Sequence, residues 1–186
     1  MKRYSLYLLI IGFTVLVSCA DEKKNEEPEI VTVDTQKPLK SDEVALQGPI
    51  DVEFEEEGMK EIFTKYIEVK TALVYTDPAN AAARASQLKK LLAKHNAGSN
   101  AIDATDNMVN ASNIEELRRA FKIVTREMEP MVKKAIESGT VYKQYCPMAF
   151  NNTGAYWLSE SKDIYNPYFG SKMLKCGRID SEIKQN

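Results

Sequence analysis

Two short sulfur pairs stand near the C-terminal end of this 186-residue chain: Cys146-Pro147-Met148 and Met173-Leu174-Lys175-Cys176. Brought together, they would present two thiolates and two thioethers. Soft sulfur ligands of this kind select Cu(I) and related soft ions. The same residues support a second chemistry. Cys19 apart, Cys146 and Cys176 are an even pair, and in an oxidising compartment such pairs become disulfides. Closing a loop of about thirty residues would contribute on the order of 3–4 kcal/mol. Met148 and Met173 would then be core side chains. Free, unlinked thiols are the third possibility. The first two are compatible, because a reducible pair can bind metal once reduced.

No catalytic constellation accompanies these sulfurs. His95 is the only histidine. It falls on the Leu88/Leu92 face near a helix C-terminus, where a charge–dipole role is commoner than ligation. Cys146 as a nucleophile would need a base, and the spacing offers none. There is no Gly-rich phosphate loop. The chain reads as a non-enzyme.

The C-terminal segment carries more than sulfur. Tyr145-Cys146-Pro147-Met148-Ala149, Gly154-Ala155-Tyr156-Trp157-Leu158-Ser159, Asn166-Pro167-Tyr168-Phe169-Gly170 and Met173-Leu174-Lys175-Cys176-Gly177 follow one another. This succession resembles an uncharacterised bacterial domain family. Its members are often lipoproteins, and others carry the domain fused to periplasmic adaptors of heavy-metal (copper/silver) efflux pumps. Upstream, Tyr66 to Leu73 and Arg119-Ala120-Phe121 look like the family's first and third helices. The likeness spans roughly residues 55–180. It implies a metal context rather than an activity. Cys146-Pro147-Met148 is also similar to the Cys-Pro-Met core of small heavy-metal-binding modules.

The compartment is written at the other end. Lys2 and Arg3 precede an apolar run from Leu6 to Val17, and Leu16-Val17-Ser18-Cys19 reads as a lipobox. Charge, a short apolar stretch and small residues before the cut are the order an export signal needs. The run is too short for the ~20 residues of a spanning helix. Residues 1–18 are therefore expected to be a signal peptide and Cys19 a lipidation site. Each buried CH₂ of the lipid would hold the chain to the membrane by roughly 0.8 kcal/mol. That places the chain in the cell envelope, lipid-anchored and extracytoplasmic.

Between residues 20 and 57 thirteen Asp and Glu face four Lys, a net −9. Prolines 28, 38 and 49 interrupt this stretch, and its apolar residues follow no period. Such a composition cannot offset its ordering entropy. Residues 19–54 are expected to form an acidic disordered tether. The remainder, 58–186, is net +5. It shows no basic block interleaved with aromatics, so no nucleic-acid partner is expected.

The elements that must position the sulfurs are mainly helical. Met59, Ile62, Phe63, Tyr66, Val69 and Leu73 recur at helical spacing. Asp77-Pro78 ends this helix and starts the next, since Asp caps well and Pro suits the first turn. Ala81, Ala85, Leu88 and Leu92 form a narrow stripe that Gly98 closes. Residues 101–110 read as a short helix with Ile102 and Val109 inward. Ser112-Asn113-Ile114-Glu115 fits a capping box, followed by a seam through Ile114, Leu117, Phe121, Val124, Met128, Met131 and Ala135. Pro130 should kink this helix near Arg126, and Gly139 should end it. Met59, Met128 and Met131 are expected to fill gaps in the core.

Three substantial helices on short loops argue for an up-and-down bundle over residues 55–180. Its cap would be the aromatic, hairpin- and loop-rich segment 140–180, with turns at Asn151-Asn152-Thr153-Gly154, Asn166-Pro167 and Gly170. The aromatics there could form a partner surface or a small core around Trp157. The leading expectation is a tethered domain that binds a soft metal, Cu(I) above all, through Cys146, Met148, Met173 and Cys176. It would serve metal resistance and meet efflux-system proteins. The alternative is an interaction or scaffold module whose Cys146/Cys176 pair is a structural disulfide.

Overall fold

A computed structural model describes residues 49–185. The signal peptide, Cys19 and the tether as far as residue 48 lie outside the described residues.

The domain is mainly α. Helix α1 (Glu57–Val74) buries Met59, Ile62, Phe63, Tyr66, Ile67, Val69 and Leu73, together with Lys70. Its buried arc is wider than one neighbour needs, because both helices and strands cover it. Helix α2 (Pro78–Lys94) starts where Asp77 caps it, the carboxylate accepting from the Asn80 N–H at 3.0 Å. Ala81, Ala85, Leu88 and Leu92 are fully buried. The two alanines let α2 lie close against α1.

Gly98 does not close α2. The helix ends at Lys94, and Asn96 takes the left-handed conformation (φ 53°) that releases the chain. Asn tolerates that region because its short amide can bond locally. Gly98 instead precedes α3 (Ser99–Val109), a full helix. Its buried face is Ala101, Ala104, Thr105 and Met108, whereas Ile102 and Val109 sit at the edge. The inward stripe is therefore one residue out of phase with the expectation. Met108, fully buried, is the anchor.

Helix α4 (Ile114–Ala135) buries Leu117, Phe121, Val124 and Met128 as the seam requires. The capping box is shifted by one residue. Asn113, not Ser112, is the cap and accepts from the Glu116 N–H at 2.9 Å. Glu116 in turn accepts from the Ser112 N–H at 2.8 Å. That bond, aided by Asn113 and the charge of Arg119, draws the Glu116 carboxyl below its usual range. The helix continues through Pro130 to Ala135 and stops four residues short of Gly139. It stops there because Ile136 turns extended and starts a strand. The expected methionines fall in or against the core: Met59 and Met128 are buried and Met131 packs on it. Neighbouring helices pack in chain order, α1 on α2, α2 on α3 and α3 on α4, and α4 also touches α1.

Two antiparallel sheets complete the domain. In the smaller, β1 (Val52–Phe54) pairs with β2 (Ile136–Gly139), Val52 opposite Gly139 and Phe54 opposite Ile136. β1 lies inside the stretch expected to be tether to residue 54. Its alternation explains the difference: Val52 and Phe54 are buried while Glu53 faces out. Two apolar residues at strand spacing are enough to dock three residues of an otherwise acidic segment.

The larger sheet has the order β4-β3-β5. β3 (Val141–Cys146) is central, β4 (Ala155–Ser159) returns beside it, and β5 (Arg178–Ile183) takes the other edge. The domain thus runs past residue 180, and Ile183 is buried at its end. Helix α4 packs against β4. The Tyr66 hydroxyl ties helices to sheet, accepting from the Leu158 N–H at 3.0 Å and sharing a 2.8 Å bond with Thr125.

Candidate dithiol site

Cys146 ends β3, fully buried, and Cys176 lies half-buried just before β5. Pairing of Tyr145 with Arg178 across β3 and β5 brings the two cysteines to one place. Their sulfurs stand 3.2 Å apart and both thiols are free. Burial first, then the contact with Cys146, pushes the Cys176 thiol up to about 11. At neutral pH Cys176 is therefore a protonated thiol. That makes it a poor nucleophile, and its proton must leave before its sulfur can ligate a cation as a thiolate.

The loop between β4 and β5 holds Cys176 in place, and the motif residues explain how. Asn166 is fully buried, and its amide N–H₂ donates to the Cys176 carbonyl at 2.6 Å. Its side-chain oxygen accepts from the N–H groups of Tyr168 and Phe169 at 2.8 and 3.1 Å. One amide thus closes the Asn-Pro turn and ties it to the cysteine. Arg118 reaches from α4 to the same turn, its Nε donating to the Pro167 carbonyl at 3.0 Å. Its far nitrogen bonds Leu73 O and Thr76 Oγ1 near the end of α1.

Two glycines are required by this packing. A Cβ on Gly170 (φ +60°) would lie 2.3 Å from Thr76 Oγ1 and 2.9 Å from the Val74 carbonyl oxygen. One on Gly177 would lie 2.8 Å from the Trp157 ring, directly after Cys176. Tyr168 packs its ring against Phe121, Phe150 and Trp157, with centroids 6.1, 5.2 and 6.0 Å away. Its hydroxyl donates to the Tyr156 carbonyl. Trp157 and Tyr168 are buried, Tyr142, Tyr145, Phe150, Tyr165 and Phe169 are half-buried, and Tyr156 is exposed.

The four sulfurs are not equivalent. Met148 is 45% exposed. Met173 is half-buried at the end of a 3₁₀ turn (Gly170–Met173), and its carbonyl accepts from the Cys176 N–H at 3.0 Å. Among the described residues no three His, Cys, Asp or Glu side chains gather as a metal-binding group. His95 is elsewhere: it is the C-cap of α2, with Nε2 3.8 Å from Glu61 and its ring against Gly58.

One buried cluster escaped the sequence reading. Lys70 and Glu160 form an ion pair of 2.6 Å with both side chains 1% exposed. Lys70 also reaches Ser159 Oγ at 3.2 Å, while Glu160 Oε1 is buried with no partner. Burial lowers the Lys70 pKa against the pull of Glu160. The pair bolts α1 to the end of β4. Its signal was present, since Lys70 lies on the same helical face as Tyr66 and Leu73.

Residues 62–139 match the model of a family described as a protein of unknown function, DUF3347. The matched stretch runs from α1 to the end of β2 and so stops before both cysteines. No curated protein and no solved structure matches the chain. The match supports an uncharacterised domain-of-unknown-function family as the setting of the helical part.

Proposed function

We propose that this chain is an extracytoplasmic lipoprotein, anchored through Cys19, whose folded domain binds a soft cation such as Cu(I) at Cys146 and Cys176. The carrying observation is the pair of free sulfurs 3.2 Å apart, supported from behind by Asn166 and Arg118. Two adjacent thiols suit a soft ion, and a half-buried Cys176 leaves the pair within reach of solvent. Met148 and Met173 supply the thioethers of the set. When bound, Cu(I) would be held by two thiolates whose combined charge exceeds its own. The bundle of α1–α4 is the rigid base and the aromatic β3–β5 segment the cap that carries the ligands. The domain serves as an envelope buffer or hands metal to an efflux system. No reaction on an organic substrate is part of this reading.

The same contact favours a second reading. Sulfurs this close need only a small shift to bond, and an oxidising compartment would close them into a structural disulfide. The chain would then be an interaction or scaffold module.

Thiol counting on the full chain from an oxidising compartment, before and after mild reduction, separates the two. Titration with Cu(I) against a chromogenic chelator follows. Two thiols that take up one equivalent, lost in Cys146→Ser and Cys176→Ser, support metal handling. No thiols, resistance to mild reduction and no uptake refute it.

A further inference from the structure

Arg118 is a buried cation with no counter-ion in contact. It is 7% exposed, and its hydrogen bonds go to neutral oxygens, those of Pro167, Leu73 and Thr76. They engage Nε and Nη2 alone, and Nη1 donates to nothing among the described residues. Glu115 acts on Arg118 through its charge but forms no ion pair with it. A buried charge is costly unless it is paired. The three neutral oxygens solvate this guanidinium and leave its charge unopposed.

Arg118 lines a hollow of about 670 Å³, within the size range of small-molecule sites. Arg119 and Lys172 line it too. Both are exposed, and neither makes a hydrogen bond or ion pair among the described residues. The charge of Arg119 is felt by Glu116, which is not part of the lining. Within the lining, three cations meet one carboxylate, Glu115. The same hollow carries apolar surface: Met148, 45% exposed, and the half-buried rings of Phe150 and Phe169. Convergent charge on an apolar lining is the composition of a ligand pocket.

Such a lining suits a ligand that has both an anionic head and an apolar body. A carboxylate fits the head best. It is planar, and the unengaged fork of Arg119 can donate to both of its oxygens. A doubly charged head would lose more hydration beside two phenyl rings and a thioether. Met148 is unbranched and polarisable, so it can mould to the body.

We propose that this hollow binds a small carboxylate with an apolar body, of the arylalkanoate kind, its head on Arg118, Arg119 and Lys172 and its body on Met148, Phe150 and Phe169. The site is separate from the Cys146/Cys176 pair and needs no metal. Binding is non-covalent.

The test is isothermal titration of the full chain, in nonionic detergent micelles, with phenylpropanoate, and empty micelles as the blank. Phenylpropanamide keeps the body and removes the charge, whereas acetate keeps the head and removes the body. Phenylpropanoate should bind once per chain, and the other two at least about tenfold more weakly. Added salt should weaken the phenylpropanoate complex. Arg119→Gln/Lys172→Gln, which leaves buried Arg118 in place, should weaken it about tenfold. Met148→Glu should abolish it, because a carboxylate there occupies or repels the head site. Both variants change exposed side chains, and thermal melts at the wild-type temperature establish that they fold. Absence of saturable binding overturns the proposal. So does equal binding of the amide, or wild-type affinity in either folded variant.

Discussion

Replacing Asn166 tests whether one buried amide holds the candidate site together. Its side chain is fully buried and makes three hydrogen bonds, one given to the Cys176 carbonyl and two received from Tyr168 and Phe169. Asn166→Ala removes all three and leaves three backbone groups short of a partner. At about 1 kcal/mol for each, the loss is about 3 kcal/mol, and more if no water enters. Asn166→Asp is more discriminating. An ionised Asp keeps both acceptor contacts but aims negative charge at the Cys176 carbonyl. A protonated Asp can donate to that carbonyl and restores the third bond. Its folded-state pKa is therefore raised above its unfolded value. The stability this confers is complete below the unfolded pKa, near ~3.9, and is lost as pH rises through the folded one. Urea unfolding of the reduced chain, with each variant referred to wild type at the same pH, should show Asn166→Asp close to wild type in acid and well below it at pH 7. Asn166→Ala should show a gap that does not vary with pH in this way. A loss under 1 kcal/mol for the Ala variant would refute the argument, as would an Asp variant with no pH dependence. The clamp would then be incidental to the placement of Cys176.

Removing Lys70 alone, as Lys70→Met, strands a buried carboxylate and should cost about 3–5 kcal/mol, whereas Lys70→Met/Glu160→Leu should come back to within about 1 kcal/mol of wild type. Additive losses in that double-mutant cycle, measured by urea unfolding, would contradict the buried pair. Starting the folded chain at residue 55 deletes β1 and with it the buried Val52 and Phe54. Each such side chain contributes about 1.5–3 kcal/mol, so the shortened domain should melt clearly below one that starts at residue 49. The raised Cys176 thiol makes stability fall with alkalinity. The favoured form is neutral, so its contribution is whole below the unfolded thiol pKa of ~8.5 and is lost as pH rises toward about 11. Cys176→Ser should flatten that alkaline limb. Apparent Cu(I) affinity should rise over the same range, because binding releases the Cys176 thiol proton.

What could be read from the sequence, and what could not, follows from the range over which each signal acts. Helical periodicity is local, and Leu117, Phe121, Val124 and Met128 reported their buried face because four residues of chain suffice to define it. Capping is local too, yet two adjacent side chains can compete for it. The Ser-x-x-Glu pattern points to Ser112, but Asn113 beside it caps equally well. Asn113 took the cap, and Ser112 gave its N–H to the reciprocal Glu116. Strand pairing is not local. Nothing near Val52 or Phe54 announces that Ile136 and Gly139, more than eighty residues away, will complete a ladder with them. A short alternating pair inside an acidic run then reads as tether. For the same reason the local pattern carries α4 on to Gly139, whereas pairing with β1 makes residues 136–139 a strand. The site divides in the same way. The sulfur residues and the Asn-Pro turn were visible as types and spacings. That Cys146 and Cys176 meet at 3.2 Å depends on β3 and β5 being neighbours, although β4 lies between them in sequence. Asn166 looked like turn punctuation, and only the three-dimensional path of its loop shows that the same amide grips the cysteine. Burial separates Met148 from Cys146 despite their adjacency, because β3 ends at Cys146, which the sheet keeps in the core, and the chain is already exposed at Pro147 and Met148. A linear motif gives equal standing to all four sulfurs, whereas the fold makes two of them an inner pair and one of them a surface group.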